Sequence, residues 1–326
     1  MRNQSIDIAK GFLLLLVIIG HILQGTFEES LPRYLIYGFH MPMFMAISGY
    51  LFSANFNKIA TSDWIKKIIN RALLPWLLAL LVFTVYLKFV GYYHLGNAQL
   101  FLEAITKPFY HLWFIPAWIG YQIILRWFEK KQITPSNIIR ISSIITAISA
   151  WLQISGQTYI NTQEIPIIAE IFYLLRPQFF LFFILGHVFN NHLSSAPTFL
   201  KNTLNNPIHL GFAGTLYIGL FFSHRLSIHF HEIIRTSVNF FAFLYLNLSL
   251  LSIVLPYVQA NELPKSSLLN WFGKQSLLIY LWHPLAIIFA RYSISYKPTP
   301  EFYFSSITST FTIVVLIYFY DRKRHP

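Results

Sequence analysis

Asp7, Lys10 and His21 are ionisable residues at and within an otherwise apolar run, Ile8–Leu23. Lys10 and His21 stand eleven positions apart. At about 100° per residue that is close to three helical turns, so both fall on one face, about 16 Å apart along the axis. Asp7 lies near the same stripe and is the i,i+3 neighbour of Lys10, close enough to pair with it. A basic group at a water interface can hold phosphate, and a neutral imidazole deeper in can take a proton from a hydroxyl. A donor with a long flexible arm would bridge the two. On each residue alone the bland reading stands: Lys10 as a snorkelling anchor and His21 as an interhelical hydrogen bond.

Other polar residues recur in apolar surroundings. His40, Pro42, Ser48 and Gly49 lie in a second apolar run, where Ser48 and Gly49 permit close helix approach. Lys66, Lys67 and Arg71 precede Leu73-Leu-Pro-Trp76 and read either as flanking positive charge or as a phosphate clamp. His111-Leu-Trp113-Phe-Ile-Pro116 offers an imidazole and an aromatic face able to stack on a sugar ring. Arg176-Pro177 is costly in lipid unless paired or facing water, which suits a cavity-lining position. Gly273-Lys-Gln-Ser276 leads to Tyr280, Trp282 and His283, with His283 about nine residues beyond Lys274. His224, His229, His231 and Glu232 match no strong zinc pattern and read as a polar loop. No phosphate-binding glycine loop and no GxSxG nucleophile elbow is present.

The elements that must carry these residues are transmembrane helices. The 326 residues are 55% hydrophobic and only 11% charged, where a soluble domain has about 25% charged. Apolar runs of membrane-crossing length recur from end to end. Ten spans are expected, near 8–25, 34–53, 73–93, 109–127, 137–154, 171–189, 207–222, 236–258, 275–291 and 302–320. They form one all-α, polytopic membrane domain over residues 1–326, since no loop is long enough for a soluble core. Lysine and arginine concentrate in segments that share a side with the N-terminus, including Lys66, Lys67, Lys130, Lys131 and the tail Asp321-Arg-Lys-Arg324. That bias puts both termini in the cytoplasm. It also explains the net charge of +12 without nucleic acid. With no cysteine, thiolate nucleophiles, disulfides and Cys-ligated metals are excluded. The N-terminal run has no small-residue cleavage site and is expected to remain as a helix.

Asp-x-x-Lys-Gly, the ten-residue gap to His21, and Pro42-Met-Phe-Met-Ala-Ile-Ser-Gly-Tyr-Leu-Phe52 resemble the acyltransferase-three family of integral-membrane O-acyltransferases, in its fucose-4-O-acetylase-like branch. Members carry a basic residue, ten residues, then histidine in the first span. The likeness extends through the 66–76, 111–116 and 273–284 stretches. The resemblance implies a paired basic motif for acyl-coenzyme A at the third span, where this chain has Lys67-x-x-x-Arg71.

From this resemblance follows an expected reaction: transfer of an acyl group, with acetyl expected, from cytoplasmic acetyl-CoA to a hydroxyl of an envelope or exported glycan, or its lipid-linked precursor. His21 is the expected base, with Asp7 fixing Lys10. Lys10, Lys67 and Arg71 would bind donor, and His40, Ser48, His111, Trp113, Arg176, Tyr280 and His283 would line the site. No bound cofactor and no metal is expected, and the location is the inner membrane. A glycan or lipid transporter or flippase is the alternative, since it too explains many spans with buried charges.

Overall fold

The computed structural model describes residues 3–26, 29–52, 59–92, 97–159, 172, 174–192, 206–225, 232–295 and 297–324. These residues form helices and no strand. In chain order the α-helices are α1 (Gln4–Ile22), α2 (Leu31–Tyr50), α3 (Thr61–Ile68), α4 (Leu74–Phe89), α5 (Asn97–Thr106), α6 (Phe114–Lys130), α7 (Pro135–Tyr159), α8 (Phe180–Asn191), α9 (Pro207–Arg225), α10 (Glu232–Ala260), α11 (Ser267–Lys274), α12 (Ser276–Ser293) and α13 (Pro300–Arg324).

Four stretches among the described residues are both long and apolar enough to cross a bilayer: Gln4–Ile22, Thr61–Phe89, Ser237–Ala260 and Pro300–Lys323. Their outer faces carry exposed large side chains, among them Phe89 at 86%, Phe241 at 67% and Phe311 at 67%. Water would penalise such a belt, and hydrocarbon would not.

Three sequence boundaries shift. The span expected at 73–93 begins earlier, because α3 runs through a π-helical turn, Ile69–Leu73, directly into α4. The span expected from 109 begins at Phe114, because the chain before it turns, with Tyr110 at φ 53°. The span expected over 171–189 is not one helix among its described residues. Arg176 adopts a left-handed conformation, a 3-10 turn follows over Pro177–Phe179, and α8 starts at Phe180. The ring of Pro177 disfavours helical geometry at the residue before it, which accounts for the break.

Two helix crossings set the frame. α1 packs chiefly on the short α11, and α2 chiefly on α8. At the first, a Cβ on Gly273 would lie 1.8 Å from the carbonyl oxygen of Asp7. At the second, a Cβ on Gly49 would lie 1.8 Å from the Phe183 carbonyl oxygen, and one on Gly186 would lie 1.8 Å from that of Ala46. Backbones this close exclude any side chain, and dispersion attraction between the two backbones stabilises the crossing along its length. The first crossing holds the Asp7 end of α1. The second holds α2, which carries His40. A continuous apolar core joins α1, α2, α4, α6, α8, α10 and α12.

A candidate active site of buried histidines

α1 delivers His21 in its last turn, 7% exposed. α12 delivers His283, fully buried, from the opposite end of the sequence. Their rings stack at 5.1 Å between centroids, 13° from parallel. Nδ1 of His21 lies 2.9 Å from Nε2 of His283. Nδ1 of His283 lies 2.8 Å from the carbonyl oxygen of Ile279. A carbonyl only accepts, so Nδ1 of His283 carries the hydrogen and its Nε2 is the acceptor. His21 must then donate from Nδ1, which leaves its own Nε2 with a free lone pair. The tautomer of His21 is thereby fixed through two hydrogen bonds from one backbone carbonyl.

Aromatic and imidazole rings close around this pair. Tyr110 stands 4.5 Å from His21, His111 6.1 Å and Tyr37 6.5 Å, centroid to centroid. His111 is also 5.9 Å from His283 and 5.2 Å from Tyr280. The turn bearing Tyr110 and His111 is tied from three directions. The Tyr280 hydroxyl donates to the His111 carbonyl, Trp76 Nε1–H donates to the Leu112 carbonyl at 2.8 Å, and His111 Nε2–H donates to the Leu281 carbonyl at 3.3 Å. Nδ1 of His111 is buried with no hydrogen-bond partner among the described residues. Holding Tyr110 at positive φ costs on the order of 1 kcal/mol, which these ties offset, and its ring is what faces His21.

His40 repeats the pattern of His283. Its Nδ1–H donates to the carbonyl of Ile36, four residues back, at 2.6 Å, and its ring meets Tyr37 edge-on at 5.0 Å. Two arginines flank this end of α1. Arg33 lies over the Tyr37 ring at 5.4 Å, and Arg291 donates to the side-chain oxygen of Gln24.

The remaining sequence candidates lie elsewhere. Asp7 is buried and pairs with Lys10 at 3.4 Å, as the i,i+3 spacing implies, but about 21 Å along α1 from His21. Lys67 and Arg71 are exposed, Arg71 within the π-helical turn. Neither makes a hydrogen bond or ion pair among the described residues. The Ser48 hydroxyl donates to the Phe44 carbonyl of its own helix at 2.8 Å, beside the Gly49 crossing, so it serves packing geometry. Trp113 faces away from the histidines. Its ring stacks on Phe179 at 5.6 Å and takes the Arg176 guanidinium at 5.3 Å. His229 and His231, with the side chains of His224 and Glu232, lie outside the described residues.

The acyltransferase-domain family of the acyltransferase-3 type matches residues 3–319 of this sequence. The chain belongs to that family. An acyltransferase-3 domain is a membrane protein, in keeping with the apolar outer belt. Two curated relatives are both named Nodulation protein NolL. One, from Mesorhizobium japonicum, is 46% identical over 83 residues, 23% of this chain and 22% of the relative. The other, from Sinorhizobium fredii, is 28% identical over 159 residues, 45% of this chain and 42% of the relative. The chain thus spans less than half the length of either relative. No solved structure matches.

Tyr37, Tyr110, Arg33 and Arg291 were not among the residues singled out from sequence. No motif marks them, and their nearness to His21 arises only from tertiary packing.

Proposed function

We propose that this acyltransferase-3 chain is an inner-membrane O-acetyltransferase of ten spans with both termini cytoplasmic. Its donor would be acetyl-CoA, and its acceptor a hydroxyl of an envelope or exported glycan or of the lipid-linked precursor. The observation that carries the reading is the His21–His283–Ile279 relay, which presents the Nε2 lone pair of His21 among aromatic faces.

Lys10 and the 67–71 basic pair hold donor phosphates toward the cytoplasm, with Asp7 fixing the Lys10 ammonium. The pantetheine arm rises along α1 to bring the thioester beside His21. Nε2 of His21 takes the hydroxyl proton as the oxygen attacks the acyl carbon. The new C–O bond forms, the C–S bond breaks, and the proton passes to the departing thiolate. While His21 is protonated, its Nδ1–H bond to His283 strengthens, because charge-assisted hydrogen bonds are roughly twice as strong as neutral ones. General-base catalysis supplies about 10²–10⁴-fold, and positioning supplies the rest. No acyl-enzyme is needed: the chain has no cysteine, and Ser48 donates within its own helix.

The test is acceptor-dependent release of free CoA and labelled acetyl transfer in membranes. His21→Ala should abolish both at matched expression, and retained transfer would sink the assignment. A transporter or flippase would release no CoA.

A further inference from the structure

A second cluster lies at the other end of α2. Glu129 near the end of α6, His187 in α8 and His192 just after α8 place their ligating atoms within 4.8 Å of one another. By the rise of a helix, Phe52 beside this cluster is about 18 Å along the axis from His40, so the cluster is separate from the histidine site.

The hydrogen bonds of His187 decide its chemistry. Its Nδ1 is 2.9 Å from the Phe52 carbonyl oxygen, which requires a hydrogen on Nδ1. The two amide hydrogens of Asn191 are accounted for by the carbonyls of Phe52 and His187, at 2.9 and 3.0 Å. Asn191 therefore has none left for Nδ1, although it lies 3.0 Å away. Nε2 of His187 is then the ring nitrogen left to face Glu129, on a side chain that is 1% exposed. Oε1 of Glu129 stands 2.8 Å from Nε2, yet Nε2 makes no hydrogen bond of acceptable geometry among the described residues. In the neutral ring that nitrogen carries a lone pair, and a carboxylate oxygen beside it is stable only with a cation between the two. A ring N–H donated to a backbone carbonyl is also the usual outer support of a metal-bound histidine.

We propose that Glu129, His187 and His192 bind a divalent transition metal, with zinc the best fit. Two imidazoles and one carboxylate are a zinc donor set that leaves a fourth position for water. Bonds of about 2.0–2.1 Å need donor atoms roughly 3.4 Å apart, so the Glu129–His187 pair at 2.8 Å opens slightly on binding and His192 adjusts to complete the set. It can, because it is the part-exposed residue capping α8. The metal would clamp the ends of α6 and α8. Through the Phe52 carbonyl it would also clamp the end of α2, whose Tyr50 carbonyl is already held by Asn190 at 2.7 Å. The ligands are separated in sequence by 58 and five positions, which is why no metal motif is visible there.

The test uses full-length protein purified in detergent without a polyhistidine tag, stripped with chelator and titrated with Zn²⁺. About one zinc should be retained per chain, with a raised thermal midpoint. Co²⁺ should give visible absorption of a low-coordinate nitrogen–oxygen site. Glu129→Gln and His187→Ala should weaken binding by more than the ~10–100-fold typical of outer-sphere changes. Should His187→Ala fail to fold, His192→Ala, at a part-exposed helix end, must still lower zinc affinity. Absence of retained metal together with an unmoved midpoint would overturn the proposal and assign the 2.8 Å separation of Glu129 and His187 to a shared proton.

Discussion

Nε2 of His283 accepts a hydrogen bond from Nδ1 of His21 at 2.9 Å, and both rings are locked by the carbonyl of Ile279. His283 is thus a positioning residue for the proposed base. His283→Leu should lower kcat by about 10–100-fold with KM for acetyl-CoA unchanged, because the wrong tautomer of His21 becomes accessible. His283→Gln, which can still accept at that point, should recover part of the loss. Equal damage from both variants would mean that the ring only fills space.

The same relay predicts a pH profile. The base works as neutral imidazole, so kcat/KM should fall about tenfold per pH unit below the apparent pKa of the coupled pair and level off above it. The profile is measured with acetyl transfer in permeabilised membranes. An acidic limb that persists unchanged in the residual activity of His283→Leu would assign it to another group.

Tyr280 offers a stability test of the turn that faces the site. Tyr280→Phe removes the hydroxyl that donates to the buried His111 carbonyl. The carbonyl keeps the Phe114 N–H at 3.2 Å, so losing the hydroxyl's bond should cost about 0.5–1.5 kcal/mol, read as a lower thermal midpoint in detergent. Activity should fall further than the folded fraction does, since Tyr110 and His111 lose one of their ties. A midpoint equal to that of the parent would show that the hydrogen bond contributes nothing.

These residues also show how far sequence alone reaches. Helical arithmetic put Lys10 and His21 on one element, and the i,i+3 spacing implied the Asp7–Lys10 pair seen at 3.4 Å. His40, His111, Tyr280 and His283 were each marked by polar chemistry in apolar surroundings, although nothing in their spacing joined them. Their convergence depends on two glycine crossings and on three hydrogen bonds to one turn, which are tertiary facts. Tyr37 and Tyr110 were indistinguishable from the other aromatics among 19 tyrosines. The break at Arg176 was signalled by Pro177, but the apolar residues on both sides of Arg176-Pro-Gln178 make 171–189 long enough to read as one interrupted span.

The α2–α8 crossing should tolerate no side chain. A methyl at Gly186 would sit 1.8 Å from the Ala46 carbonyl oxygen, which is backbone and cannot swing aside. Gly186→Ala should destabilise by about 1–3 kcal/mol or more and lower the folded yield. Gly211→Ala, in α9 with nothing within 4 Å of the added carbon, is the matched control and should be near neutral. Similar midpoints for the two variants would refute the close approach.

Lys67 and Arg71 are exposed, so their side chains can take a ligand without breaking an existing pair among the described residues. Arg71 sits in a π-helical turn, a local widening that recurs at functional positions. Arg71→Ala should raise KM for acetyl-CoA by about tenfold, the loss of one charge-assisted phosphate interaction of about 1.5 kcal/mol, while kcat changes little. Arg71→Lys should recover part of it, since a point charge still attracts phosphate but loses the bidentate fork. Raising ionic strength should weaken donor binding in the parent more than in Arg71→Ala, because an exposed cation is screened. An unchanged KM with normal turnover would remove Arg71 from the donor site and leave Lys10, paired with Asp7, as the remaining cation on the His21 helix.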